Sequence, residues 1–229
     1  MESSLQATAL ACVEPPSEEG PHGSSPLPCH FFLLPAELRN IIYRLLLTSP
    51  LLVPLRRSIV LNHRSPYVLP ALPLSVAILS TCRQINAEAT SILYTENIYA
   101  AHATLLTGLP WLMSPSRPLS APGMGKRITR WYVNVRLDCD ARFSEEAVTK
   151  AFSGCEELEV EASESMFRSG GNGCLLLFRN VRGVGKAKVS GSVVRAFASW
   201  LEQSMMSEPG TKIGDYAEAS YEVWSHTDR

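Results

Sequence analysis

Histidines stand at positions 22, 30, 63, 102 and 226, and none belongs to an HExxH pair that could hold zinc on one helical face. Serine, histidine and aspartate all occur, but no GxSxG elbow places a serine on a strained strand-to-helix turn, so no acyl-transfer triad is expected. Gly123-Met124-Gly125-Lys126 and Arg182-Gly183-Val184-Gly185-Lys186 superficially suggest phosphate-cradling loops. Both lack the GxxxxGK[ST] spacing, and both read as turns before strands. The six cysteines, at 12, 29, 82, 139, 155 and 174, form no CxxC pattern. Buried free thiols are expected rather than a zinc site or disulfides. Glu156, Glu157, Glu159 and Glu161 form an acidic run, with Glu159 and Glu161 on one strand face opposite Leu158 and Val160. That face is either solvated or a contact for a basic target. These residues imply no catalytic site, no metal and no cofactor. The expectation is a binding protein and not an enzyme, with an enzyme of unrecognised type as the least favoured alternative.

Composition bounds the partner. The chain has 229 residues, 45% hydrophobic and 19% charged, with a net charge of −1. That supplies enough apolar material for one good core or two small ones. The charge is unevenly spread. Residues 1–34 carry four acids and no Lys or Arg; residues 35–137 carry eleven Lys/Arg against three acids; residues 138–229 carry ten against fifteen. A basic middle beside an acidic end suits a protein partner or internal complementarity. The basic residues are scattered without interleaved aromatics, so nucleic acid is not expected. No secretory signal is visible, and the longest apolar run, Val68 to Leu79, is broken by Pro70, Pro73 and Ser75. No membrane association is expected, and the expected location is cytoplasmic or nuclear.

The elements follow from periodicity. Residues 1–30, rich in Ser, Pro, Gly and Glu, read as a disordered tail. Leu34, Leu38, Ile41, Ile42, Leu45 and Leu46 recur at helical spacing, with Pro35 and Glu37 suited to the first turn and Pro50 marking the stop. Residues 51–73 contain four prolines and read as an irregular excursion, with a short strand at Ser58–Leu61 and a turn at 62–66. Ile78, Cys82, Ile85, Ala89, Ile92 and Leu93 share one face of a second helix that Asn97 ends; Ile98-Tyr99 begin an extended piece. A third helix is expected at Ala103–Met113, followed by a loop over 114–125. Ser169–Gly173 reads as a flexible loop.

The C-terminal half contains an internal repeat. Ile128-x-x-Trp131-x-Val133-x-Val135, Cys155-x-x-Leu158-x-Val160-x-Ala162 and Val184-x-x-Ala187-x-Val189-x-Gly191 share one pattern, offset by 27 and 29 residues. Period-two alternation predicts strands. Helix candidates at Glu145–Phe152, Leu175–Phe178 and Val193–Met206 predict parallel pairing with crossovers, so about three strands of a mostly parallel sheet with helices on one side are expected. Asn134, Arg136, Glu159, Glu161, Lys188 and Ser190 should lie on the exposed strand face, a mixed-sign surface suited to discrimination among targets.

Leu34-Pro35-x-Glu37-Leu38-x-x-x-Ile42-x-x-x-Leu46 resembles the opening helix of the F-box, and Thr81-Cys82-Arg83-Gln84-Ile85 resembles that module's later cysteine–arginine helix. FFLLPAELRNIIYRLLL followed by LSTCRQINAEATSILYTENIY is similar to a large group of fungal F-box-like proteins, over about residues 31–99. The later repeats resemble, less specifically, the short leucine-rich-type tail often found after such modules. The resemblance implies an α+β chain: a tail at 1–30, an F-box-like helical region at 31–113, a leucine-rich-repeat-like β/α segment at 126–206 and a C-terminal tail at 207–229. It implies a protein–protein interaction module, the substrate receptor of a cullin-type ubiquitin ligase, in which Leu34, Pro35, Leu38, Ile42 and Leu46 dock on the adaptor subunit and the C-terminal part captures a target. The alternative is an F-box-like scaffold that does not bind the adaptor: Pro35 and Cys82 are 47 residues apart, so the proline-rich excursion reads as an insertion, and Ile85 stands where the family often has tryptophan. Ile41 and Leu45, on the stripe's other edge, are expected to face the core.

Overall fold

The three repeated segments become neighbouring strands in the register their alignment implies. In the computed structural model, which describes residues 29–48, 74–112, 115, 117–120, 123–164 and 171–216, they form β3 (Arg130–Arg136), β4 (Glu157–Ser163) and β5 (Lys186–Gly191). Trp131 pairs with Leu158 and Leu158 with Ala187; Val133, Val160 and Val189 form the next rung, and Val135, Ala162 and Gly191 the third, all parallel. This register turns the apolar positions of all three segments to one face, and a one-residue slip of any strand would turn its set to the other.

Ahead of them lie β1 (Tyr99–His102) and β2 (Leu106–Trp111), and the sheet order is β2-β1-β3-β4-β5. β1 is parallel to β3 and antiparallel to β2. The expected third helix at 103–113 is therefore not formed. Gly108 and Pro110 lower helix stability there, and Pro110 is tolerated because β2 is an edge strand. The turn is closed by a side chain: the His102 ring accepts the N–H groups of Thr104 and Leu105, both at 3.2 Å, through Nδ1.

Five helices accompany this mixed sheet among the described residues: α1 (Ala36–Leu47), α2 (Arg83–Glu96), α3 (Glu145–Phe152), α4 (Gly173–Leu176) and α5 (Arg195–Met206). The chain is thus α+β. The second helix is shorter than its apolar periodicity predicts. Val76–Ser80 forms a 3-10 turn, and Cys82 is fully extended, its Sγ accepting the Ile85 N–H at 3.4 Å as the cap of α2. α3 starts on Ser144, whose Oγ accepts the Ala147 N–H at 3.2 Å, and carries Glu145 and Glu146 at its positive end.

One core joins Trp131, Val133, Leu158, Val160 and Val189 to Val148 and Phe152 of α3, Leu175 of α4 and Phe197, Leu201 and Met205 of α5. The crossover helices thus cover one face of β3–β5, and Tyr132, Asn134, Glu159, Glu161, Lys188 and Ser190 alternate onto the other. Phe197 of α5 meets Tyr216 edge to face, Trp200 lies tilted against the same ring, and the Trp200 indole N–H donates to the Gly214 carbonyl at 3.2 Å, so the segment after α5 packs against that helix.

Residues 36–229 group as one unit and residues 1–35 as another. In the latter, His30–Leu33 make a 3-10 turn that Leu34 closes by donating its N–H to the Phe31 carbonyl at 3.2 Å. The tail before residue 29, the excursion with its Ser58–Leu61 strand and 62–66 turn, the first two residues of the Ser169–Gly173 loop and the last thirteen residues lie outside the described residues.

Candidate interaction site

The orientation of α1 is set by its polar residues. Tyr43 and Leu47 are fully buried. Arg39 lies beside Tyr43 and grips Glu88 of α2 with two bonds, Nε to Oε2 and Nη2 to Oε1, each 2.9 Å. The Tyr43 hydroxyl and Gln84 Nε2 also donate to Glu88 at 2.9 Å. Arg44 pairs with Glu96 at 2.9 Å. At the far end the buried Asn97 amide donates to the Leu47 carbonyl at 2.7 Å and the Leu93 carbonyl at 2.9 Å. One side chain therefore ties off the C-termini of both helices, where carbonyls lack intrahelical partners.

This arrangement turns the apolar stripe outward. Leu38, Ile41 and Leu45, spaced i, i+3 and i+7, are 46%, 51% and 78% exposed, while Ile42 and Leu46 are half-buried at its margin. The expectation that Ile41 and Leu45 face the core is overturned. A bidentate guanidinium–carboxylate pair outcompetes leucine for the inner side once Glu88 is fixed opposite Arg39. Of the five residues expected to dock, α1 carries Leu38, Ile42 and Leu46; Leu34 and Pro35 belong to the unit that ends at Pro35. Sequence reasoning missed Ile41 and Leu45 as surface residues. The signal was Arg39 and Tyr43 sharing a helical side with Glu88 available to receive them.

The donors around Glu88, led by Arg39, hold its carboxyl down at about 2 against an ordinary 4.5, and burial pushes the Tyr43 hydroxyl up to about 12. A depressed carboxyl contributes stability that is complete above its unfolded value and lost as pH falls toward the folded one. Glu88→Gln should therefore destabilise the chain most above about pH 5, with the deficit shrinking to little near pH 2. Thermal midpoints of both proteins between those pH values check this; a constant deficit would show that Glu88 acts through packing alone.

The sheet face opposite the crossover helices is acidic at its centre and cross-braced. Glu157 pairs with Lys186 at 2.7 Å, Glu156 with Arg130 at 2.6 Å, and Glu161 accepts the Tyr132 hydroxyl at 2.7 Å. Arg136 and Lys188 are exposed as expected; Asn134, Glu159, Glu161 and Ser190 are half-buried. Cysteines 29, 82, 139, 155 and 174 are free thiols, but Cys29 and Cys139 are exposed, against the expectation of burial. Burial pushes the Cys155 thiol up to about 12, which leaves it protonated and makes it a packing group. Among the described residues no three His, Cys, Asp or Glu side chains gather as metal ligands, and no helix is long and apolar enough to cross a membrane. Comparison with family models, with curated proteins and with solved structures gives no match.

Proposed function

We propose that this chain is a protein–protein interaction module that docks through α1, as the F-box-like substrate receptor of a cullin-type ubiquitin ligase. The observation that carries the reading is the outward apolar face of Leu38, Ile41 and Leu45 on a helix held from behind by Arg39, Tyr43 and Arg44. Exposed leucine and isoleucine at i, i+3 and i+7 are what a helix-binding partner buries. The LPAEL wording at Leu34–Leu38 favours the ligase adaptor as that partner. The β3–β5 segment, with its parallel rungs and helices on one side, is then the leucine-rich-repeat-like part that meets the target.

The test is co-purification of the full chain with the adaptor subunit. Leu45→Arg, at the most exposed position of the stripe, should abolish capture while the circular dichroism spectrum and thermal midpoint stay within about 0.5 kcal/mol of the parent, as for other surface changes. Capture that survives Leu45→Arg and Ile41→Arg together would sink the docking face. A parent chain that captures no adaptor yet retains other partners would favour the scaffold reading.

A further inference from the structure

The strongest unassigned feature is a cleft within the sheet. β3 and β4 pair at seven positions, ending at Arg136 and Ser163, whereas β1 and β3 pair only at Tyr99–Trp131 and Ala100–Tyr132. Beyond Ala100 the register of β1 against β2 shifts, and the His102 ring folds back to close the 103–105 turn. Asn134, Val135 and Arg136 therefore have β4 on one side and a cavity of about 560 Å³ on the other. That size suits a ligand of a few residues, and its place at the carboxyl ends of parallel strands is where open sheets present ligand sites.

The polar groups of the cleft are mostly donors. Leu137 gives its N–H to Ser163 of β4. The two-residue alternation of a parallel ladder then turns the Asn134 peptide group toward the β1 side, into the cleft. The Asn134 side chain is fixed by the Ser163 hydroxyl, which donates to Oδ1 at 3.0 Å, and this leaves Nδ2 buried without a hydrogen-bond partner. Because Nδ1 of His102 is an acceptor, its proton sits on Nε2. Arg136 and Arg142 add two guanidinium groups to the lining against the single acid Asp140, although Arg136 also holds Asp138 at 2.7 Å. Trp111 and Phe143 supply apolar walls.

We infer that this cleft binds a short extended peptide through a side-chain carboxylate, the peptide running along β3 where β1 leaves it. The carboxylate pairs with Arg142, the peptide backbone meets the Asn134 peptide group, and an adjacent apolar side chain lies against Trp111 and Phe143. The inference rests on the interaction-module reading and supplies its target class, but its test needs no adaptor.

The test is fluorescence polarisation of full-length chain with labelled, blocked hexapeptides, each made with a central Glu or a central Gln between apolar residues. Glu peptides should bind below about 1 mM, and their Gln counterparts about tenfold more weakly. Arg142→Ala should cost the Glu peptides about tenfold and leave the Gln peptides unchanged, and Arg142→Glu should abolish binding of the Glu peptides by placing like charges together. Arg195→Ala, on the exposed start of α5, should change nothing. Equal affinity for Glu and Gln peptides, no member binding below about 1 mM, or indifference to Arg142→Ala would overturn the inference. Leu45→Arg should leave peptide binding intact, and a parent chain that binds the Glu peptides yet captures no adaptor would count against the ligase reading alone.

Discussion

Phe152→Ala should lower the unfolding free energy by about 4 kcal/mol, the usual cost of emptying a fully buried phenylalanine site. Phe152 is completely inaccessible at the end of α3. Its ring stacks on Phe178 with centroids 6.1 Å apart and meets the edge of Trp131 at 5.8 Å; Phe143 meets Phe178 at 6.4 Å. Deleting it removes the piece that joins the helix layer to the first rung of the sheet, and stacked aromatic contacts are lost along with buried area. Neighbours held in parallel strands have little freedom to collapse into the space. For a chain of this size the thermal midpoint should fall by about 8–16 °C. Urea denaturation of parent, Phe152→Ala and Phe152→Leu checks it: leucine, which refills part of the volume, should cost about half as much. A loss below about 1 kcal/mol for alanine would mean that the aromatic stack does not hold α3 to the sheet.

Gly191→Ala should be comparably damaging, although it adds a single methyl group. Gly191 ends β5 at φ +95°, and a Cβ there would lie 2.0 Å from the Ala162 carbonyl oxygen and 2.9 Å from its carbon. The same Ala162 oxygen accepts the Ser192 N–H at 2.8 Å, so the chain folds over β4 at this point. The obstruction is backbone, and relief requires β5 to move off β4. The unfavourable backbone conformation contributes about 1–2 kcal/mol and the forced separation about 1–3 more. Chemical denaturation measures the sum; a stability within about 0.5 kcal/mol of the parent would show that β5 tolerates the shift.

The two surfaces proposed for function sit on differently built supports. α1 presents its stripe because charge-assisted bonds to Glu88 and Glu96 hold its other side, so agents that weaken those bonds, such as acid, should also weaken docking. The cleft depends on where β1 stops pairing with β3, which the His102-capped turn decides.

The amino-acid sequence by itself determined the strand register. Three segments with the same apolar alternation, 27 and 29 residues apart, turn their large side chains to one face when aligned as they are in β3, β4 and β5, and a one-residue slip would expose them. Glu145–Phe152 as a helix and Asn97 as a helix end were equally legible, because a serine cap with acids behind it and an asparagine stop are local signals. Gly191, the weak last member of the repeat by composition, is at the position where backbone contact with β4 excludes any side chain. That need arises only after the strands are side by side. The inner face of α1 was not legible either. Periodicity locates an apolar stripe but cannot say whether it faces a core or a partner. Glu88, 49 residues away, reversed the outcome by accepting Arg39 and Tyr43. The β1–β2 hairpin and the cleft beside Asn134 likewise came from tertiary structure, since they depend on the distance at which one strand leaves another, a quantity that no local spacing encodes.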